Sequence, residues 1–204
     1  SGAGLIWLIQ RIKRESLADR QAALAARAAT TALTTVEAAA AAHARGMSDD
    51  PSELNNALLR ALVSVNRAHA GVLYLASPEG DLIRTAAYGF ERLSQEPDAI
   101  DHAAVEFAAQ LATERRSRSI SDLRVERRLA GSIFAQANLQ SILGVPLIDG
   151  RDRLLGVALI GLLVPHDFTR TEIARVEAFA SRAAAMTTPA ASAAMIPAVN
   201  PAIT

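Results

Sequence analysis

Residues 139–169 read LQSILGVPLIDGRDRLLGVALIGLLVPHDFT, and this stretch decides the fold. Ser141 to Ile148 and Leu154 to Leu163 are two mostly apolar, partly β-branched runs, and Asp149-Gly150-Arg151-Asp152 between them is turn chemistry. The pair reads as a hairpin. Neither run alternates polar with apolar residues, so both strands are expected to be central and covered on both faces. Helices should cover one face, and an enclosed ligand or a plugged core the other. Thr169 with Glu172 three residues on has capping-box spacing, which predicts a helix from there through Ala185.

These residues resemble the GAF domain, a small-molecule-sensing and dimerising module of signalling proteins. The family's Ser, Val-Pro-Leu, turn Gly, Gly-Val and Phe-Thr are similar to Ser141, Val145-Pro146-Leu147, Gly150, Gly156-Val157 and Phe168-Thr169. Upstream, Gly71 to Phe90 (GVLYLASPEGDLIRTAAYGF) is similar to the family's first hairpin, with Pro78-Glu79-Gly80 as its turn and Tyr88-Gly89 at the end of its second strand. Ser119-Ile120-Ser121-Asp122 is similar to the short strand ahead of the family's variable ligand loop. The resemblance covers residues 51–186. It implies an α+β fold with an antiparallel sheet of about five or six strands, terminal helices on one face and a loop-and-helix cap on the other.

Composition narrows the function. The chain has 204 residues, half of them apolar, and a net charge of zero, so it can bury a substantial core and shows no cation excess for nucleic acid. Lys13 is the only lysine, and arginine supplies every other permanent base. Cysteine is absent, which excludes a disulfide framework, a thiol nucleophile, a zinc knuckle and a thioether-linked bilin. It also excludes the Cys-dependent methionine-sulfoxide reductase activity of some GAF proteins. The cyclic-nucleotide members carry spaced Asn, Lys, Phe and Asp-Glu, which a chain with no lysine beyond Lys13 cannot match. No phosphate-cradling Gly loop with Lys, Gly-x-Ser-x-Gly elbow or His-Glu-x-x-His occurs, so the reading is of a non-enzyme.

Four segments follow along the chain. Residues 1–14 hold Leu5-Ile6-Trp7-Leu8-Ile9 followed by Arg11, Lys13 and Arg14, a pattern like the cytoplasmic end of a membrane span. The apolar run is too short to cross a bilayer, so it is either the end of a truncated membrane helix or an ordinary amphipathic helix start. Residues 15–50 are Ala-rich, with sparse Leu17, Leu24, Leu33 and Val36, which predicts a long helix that gains by packing closely on another. A homodimer is expected there, joined by the last helix around Ile173, Val176 and Phe179. A second helix is expected over Glu53 to Ala68, within the 51–186 domain. Residues 187–204, with three prolines among small residues, read as a tail or linker. The expected location is cytoplasmic, at the inner face of the membrane if the N-terminal run is a tether.

Two clusters bear on chemistry. Asp98, His102 and Glu106 at i, i+4 and i+8 would share a helix face, yet acidic residues near a helix start are also what the dipole favours, so a solvated face outranks a haem or metal site. Arg115, Arg116, Arg118, Arg124, Arg127 and Arg128, interleaved with Glu114, Asp122 and Glu126, read first as exposed ion pairs. The GAF resemblance places a small-molecule site between the sheet and residues 122–138. Tyr74, Tyr88 and Val145 would form its floor, Phe107, Ile133 and Phe134 its roof, and Arg124 the anchor for an anion. The alternative is a ligand-free, membrane-tethered dimeric scaffold, marked by a pocket that Phe107, Phe134 and Leu143 close.

Overall fold

The computed structural model describes residues 20, 23–24, 26–43, 45, 51–90 and 101–192. The elements in order are α1 (26–43), α2 (Pro51–Val65), β1 (Ala70–Ala76), β2 (Leu82–Tyr88), α3 (His102–Glu114) and β3 (Arg118–Ile120). Two short 3-10 turns, Leu123–Val125 and Arg127–Leu129, precede α4 (Ile133–Gln136), β4 (Ser141–Ile148), β5 (Leu154–Leu162) and α5 (Arg170–Ser192). The five strands form one antiparallel sheet in the order β2-β1-β5-β4-β3.

The β4–β5 hairpin forms where expected, and Val145, Leu147, Val157, Leu159 and Ile160 are all buried. Asp149 builds the turn: its carboxylate accepts the amides of Arg151 and Arg153 and the Arg153 Nε–H. The Arg153 amide, foremost among these donors, holds the Asp149 carboxyl below its ordinary value against the opposing effect of burial. β3 pairs only with Ile142–Gly144, so Pro146, which has no amide to donate, lies past the end of β3.

Side-chain parity then separates two layers. Leu73, Leu143, Val145, Leu147, Ala158 and Ile160 point to the face covered by α1, α2 and α5. Val72, Tyr74, Ile142, Val157 and Leu159 point to the other, under α3, the 3-10 turns and α4. Gly144 lets the second layer close down. A Cβ there would collide with Leu111 Cδ1 and stand 2.9 Å from Leu159 Cδ2, so only a bare backbone lets α3 rest on the strand.

Three expectations need correction. α2 stops at Val65, three residues before Ala68: Arg67 turns left-handed (φ 51°), the Ala68 amide reaches Val63 O, and His69 donates to Gly161 O, which starts β1 beside β5. α5 continues to Ser192, past Ala185 and through Pro189. Val176 and Phe179, expected at a dimer contact, are buried in the chain's own core with fully buried Val36 of α1. The Ala-rich helix therefore packs on its own domain through Ala29, Ala32, Leu33 and Ala39.

The Thr169–Glu172 capping box is present: Thr169 Oγ1 accepts the Glu172 amide at 3.2 Å, and Glu172 Oε2 accepts the Thr169 amide at 2.7 Å. Burial pushes the Glu172 carboxyl up, but hydrogen bonds from the Thr169 amide, the Thr169 hydroxyl and His166 Nε2 outweigh it, so the net shift is downward. A carboxyl depressed in the folded state stabilises it above the unfolded value, about pH 4.3 for Glu. That contribution should fade as pH falls through the lower folded value. Hydrogen exchange in the first turn of α5 should therefore quicken below pH 4 relative to β4 and β5, and Glu172→Gln should remove most of that pH dependence.

Candidate functional site

The space between sheet and cap is where the ligand site is expected, and each cap element is fixed there by a local rule. Asp101 caps two helices at once, its Oδ1 accepting the Ala104 amide of α3 at 3.2 Å and its Oδ2 the Ile133 amide of α4 at 2.7 Å. Ser132 also caps α4 through the Ala135 amide, and Leu123 joins the sheet by donating to Gln140 O at 2.6 Å.

These ties bring Tyr74, Phe107, Ile133 and Phe134 together. Tyr74 is 1% exposed, Phe107 7% and Phe134 0%, and Phe90 meets Phe134 edge-to-face at 5.6 Å. Burial, and secondly the Asp101 carboxylate, push the Tyr74 phenol above its ordinary value, so it is neutral at physiological pH. One crevice, bordered by Phe107, Gln110, Ile120 and Leu129 together with the charged Glu106, Arg118, Glu126 and Arg128, has a volume of about 30 Å³. That is room for about one water.

The other expected site residues stand elsewhere. Val145 and Leu143 face the terminal helices because they fall on the opposite parity of β4 from Ile142 and Gly144. Tyr88, opposite Gly71 in β1, also lies in the helix layer, with the Arg60 guanidinium 5.1 Å over its ring. Arg124 is on the outer surface. Its Nε and Nη2 donate to the two Asp122 oxygens at 2.8 and 2.7 Å, and the side chain is 66% exposed. This contact, foremost the side-chain hydrogen bond, holds the Asp122 carboxyl below its ordinary value. Arg124 borders a shallow groove of about 280 Å³ with Asn138, Leu139 and Gln140.

What the residue reading missed are Leu123 and Leu129, the cap's buried anchors, at 3% and 2% exposure. Isolated leucines in an Arg/Glu segment were the available signal, but Val125 between them is 77% exposed, so the signal does not discriminate. Other arginines behave as surface ions. Arg115 caps α3 in a left-handed conformation (φ 52°) and binds the carbonyl and carboxylate of Asp152 in the β4–β5 turn. His102 and Glu106 are exposed on α3, and Asp98 lies outside the described residues. Among the described residues no three His, Asp or Glu side chains group closely enough to hold a metal.

A family model described as GAF domain matches residues 48–187. The chain belongs to the GAF family. Solved structures share the fold at low identity. The GAF domain of a phosphoenolpyruvate-protein phosphotransferase from Coxiella burnetii is 16% identical with a TM-score of 0.58, covering 84% of this chain and 97% of its own. A methyl-accepting chemotaxis protein fragment, its residues 122 to 287, is 17% identical with a TM-score of 0.58, covering 79% of this chain and 99% of its own. The GAF domain of the Acinetobacter phosphotransferase is 14% identical with a TM-score of 0.55, covering 83% and 96%. A search of curated proteins returned no match. GAF domains are regulatory sensory modules of signalling proteins, and this GAF domain has the family's sheet, terminal helices and cap.

Proposed function

We propose that this GAF domain is a non-catalytic regulatory module that signals through the packing of α1, α2 and α5, as a homodimer, without enclosing a metabolite. The observation that carries this is the filled cap layer. Tyr74, Phe107 and Phe134, all buried in one apolar cluster, occupy the volume between sheet and cap that an enclosed ligand would need. Dimerisation is supported by a groove of about 710 Å³ between α1 and α2, lined by small residues such as Ala28, Thr31, Ala32 and Ala57 that let another helix approach closely.

Sedimentation velocity on the full chain tests the dimer. The expected result is a dimer in the micromolar range that Ala57→Arg converts to a folded monomer. A wild-type chain that stays monomeric at high micromolar concentration would contradict it. A second reading, anion sensing at the Arg124 groove, is favoured by the amides of Asn138 and Gln140 beside Arg124. It requires the anion to compete with Asp122. Thermal stabilisation by an acidic metabolite that Arg124→Ala abolishes would establish it.

A further inference from the structure

α2 turns its apolar side inward, with Leu54, Leu58, Leu59, Leu62 and Val65 all buried. Toward the groove of about 710 Å³ that it lines with α1, it presents the row Glu53, Asn56, Ala57, Arg60 and Ser64. All of these are exposed except half-buried Ala57. Glu53 and Arg60 are the only charged residues of α2. They stand seven residues apart on this row, about two turns and roughly 10 Å along the helix. Only the short Asn56 and Ala57 side chains lie between them on the row.

Both walls of the groove suit a close helical partner. On the α1 side, Thr31 and Thr35 donate their hydroxyls to Arg27 O and Thr31 O, each at 3.1 Å, so a covering surface strands neither donor. On the α2 side, the Arg60 guanidinium lies 5.1 Å over the Tyr88 ring, a contact within the domain that places its charge on the row.

The row is complementary to itself in one orientation. Two copies of α2 laid antiparallel about a two-fold axis between Asn56 and Ala57 set each Glu53 against the other copy's Arg60, and the small residues meet at the axis. Parallel copies would set acid against acid and base against base. Exposed charge pairs add little affinity, but like-charge contacts are penalised, so the pattern selects the orientation while the small side chains permit the close approach.

We infer that the partner seated on the α1–α2 groove is a second copy of this chain, related by a two-fold axis that runs α2 antiparallel to the partner's α2. This rests on the homodimer proposed above and adds its register and orientation. The interface is isologous, so the Glu53–Arg60 contact occurs twice per dimer.

The chain has no cysteine, so single cysteines report proximity cleanly. In the full chain, Ala57→Cys should give a disulfide-linked dimer on mild oxidation, because the two copies of position 57 meet at the axis. Ser64→Cys should not, because antiparallel packing separates the two copies of position 64 by about 22 Å along the helices, beyond disulfide reach. In sedimentation velocity, Glu53→Arg and Arg60→Glu should each weaken the dimer about tenfold by facing like charges at both contacts, and the double reversal should return it to near wild type. Arg60→Glu also removes the cation over Tyr88, so Glu53→Arg, which leaves that contact in place, separates orientation from folding. No link at 57, linking at 64 as readily as at 57, or a dimer indifferent to Glu53→Arg would overturn the antiparallel register and leave the homodimer standing. A wild-type chain that stays monomeric at high micromolar concentration would overturn both.

Discussion

Phe134→Ala is expected to destabilise the domain by about 3–5 kcal/mol, the range of large-to-small aromatic changes in a core. Phe134 is fully buried, sits in the four-residue helix α4, and is the edge-to-face partner of Phe90. α4 has too few residues to hold itself and depends on this anchor and on the Asp101 and Ser132 caps. The substitution would leave an apolar cavity over Tyr74 and Leu129. Benzene should bind there and restore part of the loss, as in other engineered apolar cavities. Urea denaturation with and without benzene reads both effects. A loss below about 1 kcal/mol would mean that the cap is not packed as described.

Leu159→Ala is expected to cost about 2–5 kcal/mol. Leu159 is fully buried on the central strand β5, against the Gly144 backbone and under α3, so neighbouring atoms can relax into its space only by moving a strand or a helix. Denaturation midpoints of the variant against wild type check it. Arg127→Ala, on an exposed turn, should stay within about 0.5 kcal/mol.

Both substitutions fall in regions that differ in how far the sequence disclosed them. The β4–β5 hairpin was legible because its runs are apolar at nearly every position and its turn is built from Asp149, Gly150 and Asp152. That same uniform hydrophobicity hid which residue faces which layer. With no polar positions to mark a face, Val145 and Leu143 could be assigned to the cap side when they belong to the helix side. β2 is harder still, because a bulge opposite Leu73 and Tyr74 shifts its parity. Ala86 and Tyr88 pack under the terminal helices, whereas Leu82 packs in the cap layer. The α5 start was legible from Thr169 and Glu172 alone. The cap was not, because its short 3-10 turns carry no period, and its anchors Leu123 and Leu129 are recognised only by what they touch.

Native mass spectrometry of the full chain purified from its own host tests the central claim most directly, since it reports stoichiometry and retained small molecules in one spectrum. The account predicts a dimer whose mass is twice that of the polypeptide. A retained adduct of metabolite size, lost on Phe134→Ala or Tyr74→Phe, would contradict it.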